Sequence, residues 1–111
     1  MAMKYTLMVF CLCIVLLSGC EDKRSKFAIE MVPLSQGNWE AIKYSPVTGK
    51  AWSAQSGTWV PIVDEETLPR SDYVIKVAAS RNGGWGAIRL DTISGRSWSA
   101  SRGNWVEIQK E

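Results

Sequence analysis

Residues 37–62 read GNWEAIKYSPVTGKAWSAQSGTWVPI, and residues 83–108 read GGWGAIRLDTISGRSWSASRGNWVEI. Extended to residues 27–62 and 73–108, the two segments align without a gap at an offset of 46 positions, and 13 of the 36 pairs are identical. A repeat of fixed period indicates one supersecondary unit that is used twice. We therefore expect two homologous units, with residues 63–72 as a polar linker between them.

Each unit has the pattern of short strands separated by glycine turns. Residues 27–32 alternate in polarity and residues 73–77 are rich in β-formers, so each unit opens with a strand. A hairpin follows, and its loop of four residues ends at Gly49 or Gly95, where a left-handed backbone favours glycine. Asp91 is expected to cap its loop by accepting hydrogen bonds from amides two residues onward.

The hairpin loops also predict which side chains face each other. With four-residue loops, Lys43 lies opposite Trp52, and Arg89 lies opposite Trp98. Each cation then rests on an indole ring, a contact that contributes roughly 0.5 to 1 kcal/mol when exposed. Such contacts set the strand register more than the stability.

These features predict an all-β fold for residues 27–111. Its two antiparallel β-meander or hairpin repeats, residues 27–62 and 73–108, are expected to pack as a small two-layer sandwich or barrel-like domain. Each unit alone is too thin to bury its apolar face, so the second unit supplies the other layer. We expect approximate two-fold symmetry between the units.

The chain has six tryptophans, all at repeated positions. Burying one indole removes roughly 150 to 250 Å² from water, which stabilises a fold by about 4 to 6 kcal/mol at about 25 cal/mol per Å². Six exposed indoles would forfeit more than the net stability of a small domain, about 5 to 15 kcal/mol. Most are therefore expected inside or between the repeats, with Trp39 and Trp85 as candidate aromatic contacts at the rim.

Basic residues are concentrated in the second unit, residues 73–108, whose formal charge is +3. Arg81, Arg96 and Arg102 lie near its turns and form a candidate binding rim for lipid phosphates, lipopolysaccharide or anionic wall polymers. The alternative is an ordinary solvated rim.

The amino-terminal segment has the pattern of a signal peptide. A positive start that includes Lys4 precedes the uncharged residues 5–17, and the small residues Ser18 and Gly19 precede Cys20. A bilayer-spanning helix needs roughly 20 apolar residues, and this run is shorter. We expect residues 1–19 to be removed.

The sequence LSGC at residues 17–20 resembles the lipobox of bacterial lipoproteins. The resemblance implies that Cys20 carries a diacylglyceryl thioether, that its new amino group is acylated, commonly with palmitate, and that residues 20–26 are a lipidated tether. It also implies a bacterial cell envelope protein, anchored in a membrane and facing the periplasm. In enterobacterial lipoproteins an Asp directly after the cysteine favours the inner membrane, so Glu21 favours the outer membrane.

The residues outside the leader offer little for catalysis. They contain no histidine, and Cys20 is the only cysteine beyond residues 1–19, so no metal, cofactor or thiol site is expected. Four carboxylates are not retained between the repeats: Glu30, Glu40, Asp91 and Glu107. Without the leader and its Lys4, twelve basic residues face eleven acidic ones, and this formal charge of +1 offers no strong field for nucleic acid. We expect neither an enzyme nor a nucleic-acid-binding protein.

Three functional hypotheses remain open. The first is a non-catalytic lipoprotein that uses its β domain to bind an envelope protein, peptidoglycan or anionic lipid. The second is a purely structural lipoprotein module. The third is a small cell-wall hydrolase or hydrolase inhibitor, because a glycosidase-like pair of carboxylates could form in the fold.

Overall fold

The structure, a computed structural model, describes residues 24–109. The predicted leader and the lipidation site Cys20 lie outside these residues. Eight strands form two antiparallel sheets of four strands each, and each sheet is a meander in which consecutive strands are neighbours. The first sheet comprises β1 (Ala28–Pro33), β2 (Trp39–Tyr44), β3 (Ala51–Gln55) and β4 (Thr58–Ile62), and the second comprises β5 (Tyr73–Ala79), β6 (Trp85–Asp91), β7 (Ser97–Ser101) and β8 (Asn104–Glu107).

The all-β prediction is confirmed, and the two sheets pack as a sandwich that does not close into a barrel. One 3-10 turn, Ser35–Gly37, lies between β1 and β2. Between residues 24 and 109, no helix has the length and hydropathy to cross a bilayer.

The predicted hairpins are confirmed. The loop between β2 and β3 is closed by a hydrogen bond from the Ser45 amide to the Lys50 carbonyl, at 2.9 Å, and Gly49 has a φ of 78°. The loop between β6 and β7 repeats this geometry, with Gly95 at a φ of 80°. As a result, Lys43 pairs with Trp52 and Arg89 pairs with Trp98.

Alternation along the strands gives each sheet two chemically different faces, since paired residues in neighbouring antiparallel strands share a face. We call one face the tryptophan face; it contains Phe27, Ile29, Trp39, Lys43, Trp52 and Trp59 in the first sheet, and Tyr73, Ile75, Trp85, Arg89, Trp98 and Trp105 in the second. We call the other the aliphatic face; it contains Ala28, Ile42, Tyr44, Val60 and Ile62 in the first sheet, and Val74, Ile88, Leu90, Val106 and Ile108 in the second.

The core of the sandwich lies between two unlike faces. The first sheet contributes its aliphatic face, including Ile42 and Ile62, and the second sheet contributes its tryptophan face, including Ile75, Trp98 and Trp105. All five of these side chains are buried. The aliphatic face of the first sheet therefore packs against the tryptophan face of the second, an arrangement that we call head-to-tail packing.

The expected two-fold symmetry is wrong, because a two-fold axis would bring the same face of both sheets into the interface. The physical reason lies in residues 63–72, whose backbone pairs with the edge strand β8 and whose side chains Asp64 and Leu68 reach the tryptophan face of the second sheet. The amide of Val63 donates to the Gly103 carbonyl, and the Val63 carbonyl accepts from the Trp105 amide, both at 2.9 Å. Asp64 and Leu68 then contact the same sheet from the side of the first unit.

Candidate functional site: the exposed tryptophan face

The tryptophan face of the first sheet points away from the second sheet. Ile29 is 57% exposed, whereas its equivalent Ile75 is 0% exposed. Trp59 is 37% exposed, whereas its equivalent Trp105 is 1% exposed. The same positions of the repeat are thus covered by protein in one unit and open in the other.

A lysine lies among three aromatic rings on this open face. The Nζ atom of Lys43 is 5.5 Å from the ring centroid of Phe27, 5.1 Å from that of Trp52 and 5.0 Å from that of Trp59. The Phe27 and Trp52 rings meet edge to face, with centroids 6.1 Å apart and planes at 65°. Such a cluster offers a partner a large apolar contact area with a positive charge at its centre.

The equivalent cluster in the second unit is closed. The Cζ atom of Arg89 lies 4.4 Å from the ring centroid of Trp98 and 4.6 Å from that of Trp105. Its guanidinium donates to the carboxylate of Asp64 at 2.6 Å and to the Gly49 carbonyl at 3.0 Å. Because Arg89 is fully buried, these contacts hold the core together.

Sequence reasoning missed the roles of Asp64 and Leu68, since residues 63–72 lie outside the repeat. Asp64 holds the buried Arg89, while Leu68 packs against the core. The Tyr73 hydroxyl also donates to the Pro69 carbonyl at 2.6 Å. The signal that could have found Asp64 is the need of a buried cation for a carboxylate, because Asp64 is the first acidic residue after β4.

The expectation that most tryptophans are buried is wrong. Trp98 and Trp105 are buried, Trp52 and Trp85 are half-buried, and Trp39 and Trp59 are exposed. The two predicted aromatic contacts therefore differ. Trp39 lies on the exposed tryptophan face, and Trp85 packs against the core between the sheets.

The structure separates the three arginines of the predicted rim. Consecutive turns of a meander lie at alternate ends of the sheet, so Arg81 and Arg102 are at one end and Arg96 is at the other. Arg96 also forms ion pairs with Glu66 and Glu107. Its hydrogen bonds to Glu107 and Glu66 raise the pKa of Arg96, and the bond from Arg96 lowers the pKa of Glu107. Arg96 therefore has a structural partner in this fold.

A basic groove borders the exposed tryptophan face. Its volume is about 480 Å³, and Phe27 and Trp52 belong both to the groove and to the face. Its cationic lining comprises Arg24, Lys26, Lys50 and Arg70. Arg24 is held by Asp72 at 3.3 Å and by the Ser71 carbonyl at 2.7 Å.

Three of the four carboxylates singled out in the sequence have structural bonds. Glu30 pairs with Lys76 at 3.5 Å, and Glu107 pairs with Arg96 at 2.8 Å. Asp91 accepts hydrogen bonds from Ser71 and from the amides of its own loop.

The fourth carboxylate, Glu40, is half-buried on the inner side of the first sheet, and burial raises its pKa. Within residues 24–109, no group of three histidine, cysteine or acidic side chains is placed to hold a metal ion. The exposed tryptophan face presents aromatic rings, apolar side chains and flanking cations.

No protein-family model, no curated protein and no solved structure matches this chain.

Proposed function

We propose that this chain is a lipid-anchored envelope lipoprotein with a non-catalytic β domain, and that the tryptophan face of its first sheet binds a protein partner. The supporting observation is the exposure of a face whose equivalent in the same molecule is buried under protein. Exposed apolar patches of this kind, framed by polar groups, mark interaction sites. Aromatic side chains are also the groups that most often dominate the energy of protein interfaces.

A protein surface fits this face better than a thin polymer does. In the second unit, the tryptophan face is covered by the aliphatic face of a whole sheet and by the side chains of Asp64 and Leu68. The exposed face carries the same residue types at Ile29, Trp52 and Trp59. A partner of similar shape would bury these side chains over the full width of the sheet.

The predicted anchor places this face near a membrane. Between Cys20 and Phe27 the chain spans seven residues, which reach at most about 25 Å when fully extended. Lipid attachment is tested by mass spectrometry of the processed amino terminus. We expect Cys20 to be acylated in the native chain and the acyl groups to be absent from Cys20→Ala. An unmodified Cys20 in the native chain would show that the protein is not lipid-anchored at this residue.

Site-specific photocross-linking in cells that make the full-length chain tests the binding face. A photoreactive residue at Met31, which is exposed on the tryptophan face, is expected to give a covalent product with a protein. The matched control is Arg81, which is exposed in the turn after β5 and lies off both faces. A purely structural module would give no product at Met31.

The basic groove supports a second candidate function, namely binding of an anionic lipid headgroup or wall polymer. Its cations Lys26, Lys50 and Arg70 surround a cavity large enough for a phosphate-bearing group. Phosphate recognition by such clusters is largely electrostatic. For residues 21–111, which lack the lipid, we expect Lys50→Glu with Arg70→Glu to abolish binding to vesicles that contain anionic lipid, and Arg81→Glu to leave it intact. Unchanged binding of the double variant would show that the groove is not the site that binds anionic lipid.

A further inference from the structure

We infer that the partner of the exposed tryptophan face is a second copy of this chain. The first sheet of one copy would pack on the aliphatic face of the second sheet of another copy, in the arrangement that already joins the two units within each chain. This inference rests on the proposed binding role of the tryptophan face and names its occupant.

The molecule exposes both halves of the contact that it makes internally. Ile42 on the inner aliphatic face is 0% exposed, whereas its equivalent Ile88 on the outer face of the second sheet is 43% exposed. Val47, in the loop that touches residues 71–73, is 9% exposed, whereas its equivalent Ile93 is 78% exposed. Each chain therefore offers one open tryptophan face and one open aliphatic face, the same two kinds of face that meet inside the molecule.

The backbone groups that join the two units also have exposed equivalents. Within the chain, Val63 forms a parallel bridge with Asn104. Their equivalents, at the same offset of 46 positions, are Gln109 and Thr58, and both are exposed. A second copy could therefore repeat this bridge, with Gln109 of one chain against Thr58 of the next.

One more hydrogen bond between the two units has equivalent groups that are exposed. The Ser71 amide donates to the Val47 carbonyl at 3.0 Å. The equivalent groups belong to Ser25 and Ile93, and both residues are exposed. The segment before β1 of one copy can thus lie on the loop after β6 of its neighbour, as residues 71–73 lie on the loop after β2.

The contact between copies is weaker than the contact within one chain. Lys43 occupies the position of Arg89, and Lys110 occupies that of Asp64 in the sequence, so the buried ion pair has no counterpart. The face is also small. Four strands about 4.8 Å apart and five residues rising about 3.3 Å each give a sheet face of roughly 300 Å² in projection. Confinement on a membrane raises the local concentration and compensates for this weakness.

The packing is heterologous, because two different faces meet. Such an interface leaves one tryptophan face and one aliphatic face open after each addition, so further copies can join. A symmetric dimer, which buries the same face twice, would not have this property. The two arrangements make different cross-links.

Cysteine cross-linking of the full-length chain in membranes tests the inference. Two variants, Thr58→Cys and Gln109→Cys, are expressed separately and together, and the membranes are oxidised. We expect a disulfide-linked dimer only when both variants are present, at least tenfold above either variant alone. A dimer with Thr58→Cys alone would indicate a symmetric contact and overturn the inference, and so would the absence of any dimer.

Two surface substitutions check that the product depends on both faces. Ile29→Glu on the tryptophan face and Ile88→Glu on the aliphatic face are each expected to reduce the cross-linked dimer at least tenfold. Both side chains are exposed within one chain, so the circular dichroism spectrum should not change. Arg81→Glu, which lies off both faces, serves as the control and should retain the dimer.

The photocross-linking at Met31 separates this inference from the proposed function. A covalent product that contains a different protein, without the disulfide-linked dimer, would support the binding role of the face but would show that its partner is not a second copy of this chain. Products with lipid alone, or no product at all, contradict both proposals. A product made of two copies of this chain, together with the disulfide-linked dimer, supports both.

Discussion

The two cation–tryptophan clusters have the same sequence spacing and opposite environments. In the first unit, Lys43 lies among the rings of the open face, and in the second, Arg89 lies in the core with a carboxylate partner. The repeat pattern therefore defines strand pairing and the face on which each residue lies, but it does not define burial. Burial is decided by what covers the face, including Asp64 and Leu68 from outside the repeat.

The largest expected difference between the clusters concerns their equivalent tryptophans. Trp105→Ala should lower the free energy of unfolding by about 3 to 5 kcal/mol, the usual loss for a buried tryptophan. Trp59→Ala should lower it by about 1 kcal/mol or less, because most of the neighbouring contacts are missing on the open face. Urea denaturation of the purified chain, followed by circular dichroism, measures both. Equal losses would show that the two faces are equally covered.

The second difference concerns the ion pair. Asp64→Ala leaves Arg89 buried without its carboxylate, a defect that destabilises proteins by about 3 to 5 kcal/mol when both partners are fully buried. Asp64 keeps some solvent contact, so we expect about 2 to 3 kcal/mol in the same denaturation experiment. Glu65→Ala, an exposed neighbour, is the control and should change the stability by less than about 0.5 kcal/mol.

The third difference concerns the two hairpin loops, which are capped by Asp91 and by Ser45. Burial would raise the pKa of Asp91, but hydrogen bonds from Ser71 and Ser94 and from the amides of Ile93 and Ser94 outweigh it and hold the pKa below its usual value. We expect Asp91→Asn to lower the free energy of unfolding at pH 7 by about 1 to 2 kcal/mol. Ser45→Ala should lower it by about 1 kcal/mol.

The pH dependence of this effect has a defined sign. A depressed carboxyl pKa stabilises the fold above the unfolded-state value of about 3.9, and this contribution is lost as the pH falls through the lower folded-state pKa. The difference between the native chain and Asp91→Asn should therefore be full at pH 7 and shrink below about pH 4. A difference that stayed constant down to pH 2 would contradict the assigned ionisation.

The smallest expected effect belongs to Lys43. Lys43→Ala removes exposed cation–π contacts and should lower the free energy of unfolding by no more than about 1 kcal/mol. A loss as large as that of Asp64→Ala would mean that the open cluster supports the fold in the way that the buried one does.

Sequence reasoning reached the fold class, the hairpin loops and the register that pairs Lys43 with Trp52, because these depend on local alternation and on turn glycines such as Gly49. It could not reach the head-to-tail packing, since each face of the repeat carries large apolar side chains and either could be buried. The exposed site follows from that packing. The sequence predicts Trp39 as a contact residue and the pairing of Lys43 with Trp52, but it does not predict that Phe27 and Trp59 join Lys43 in an exposed cluster.

The most direct test compares equivalent cysteines on the two tryptophan faces. Ile29→Cys and Ile75→Cys are made separately, and their labelling by a maleimide is measured in the folded chain at dilute, monomeric concentration, with the labelling of the parent chain subtracted. The head-to-tail account predicts rapid labelling at position 29 and at least hundredfold protection at position 75 that is lost in urea. Similar protection at both positions would show that the two faces are buried alike and would contradict the account.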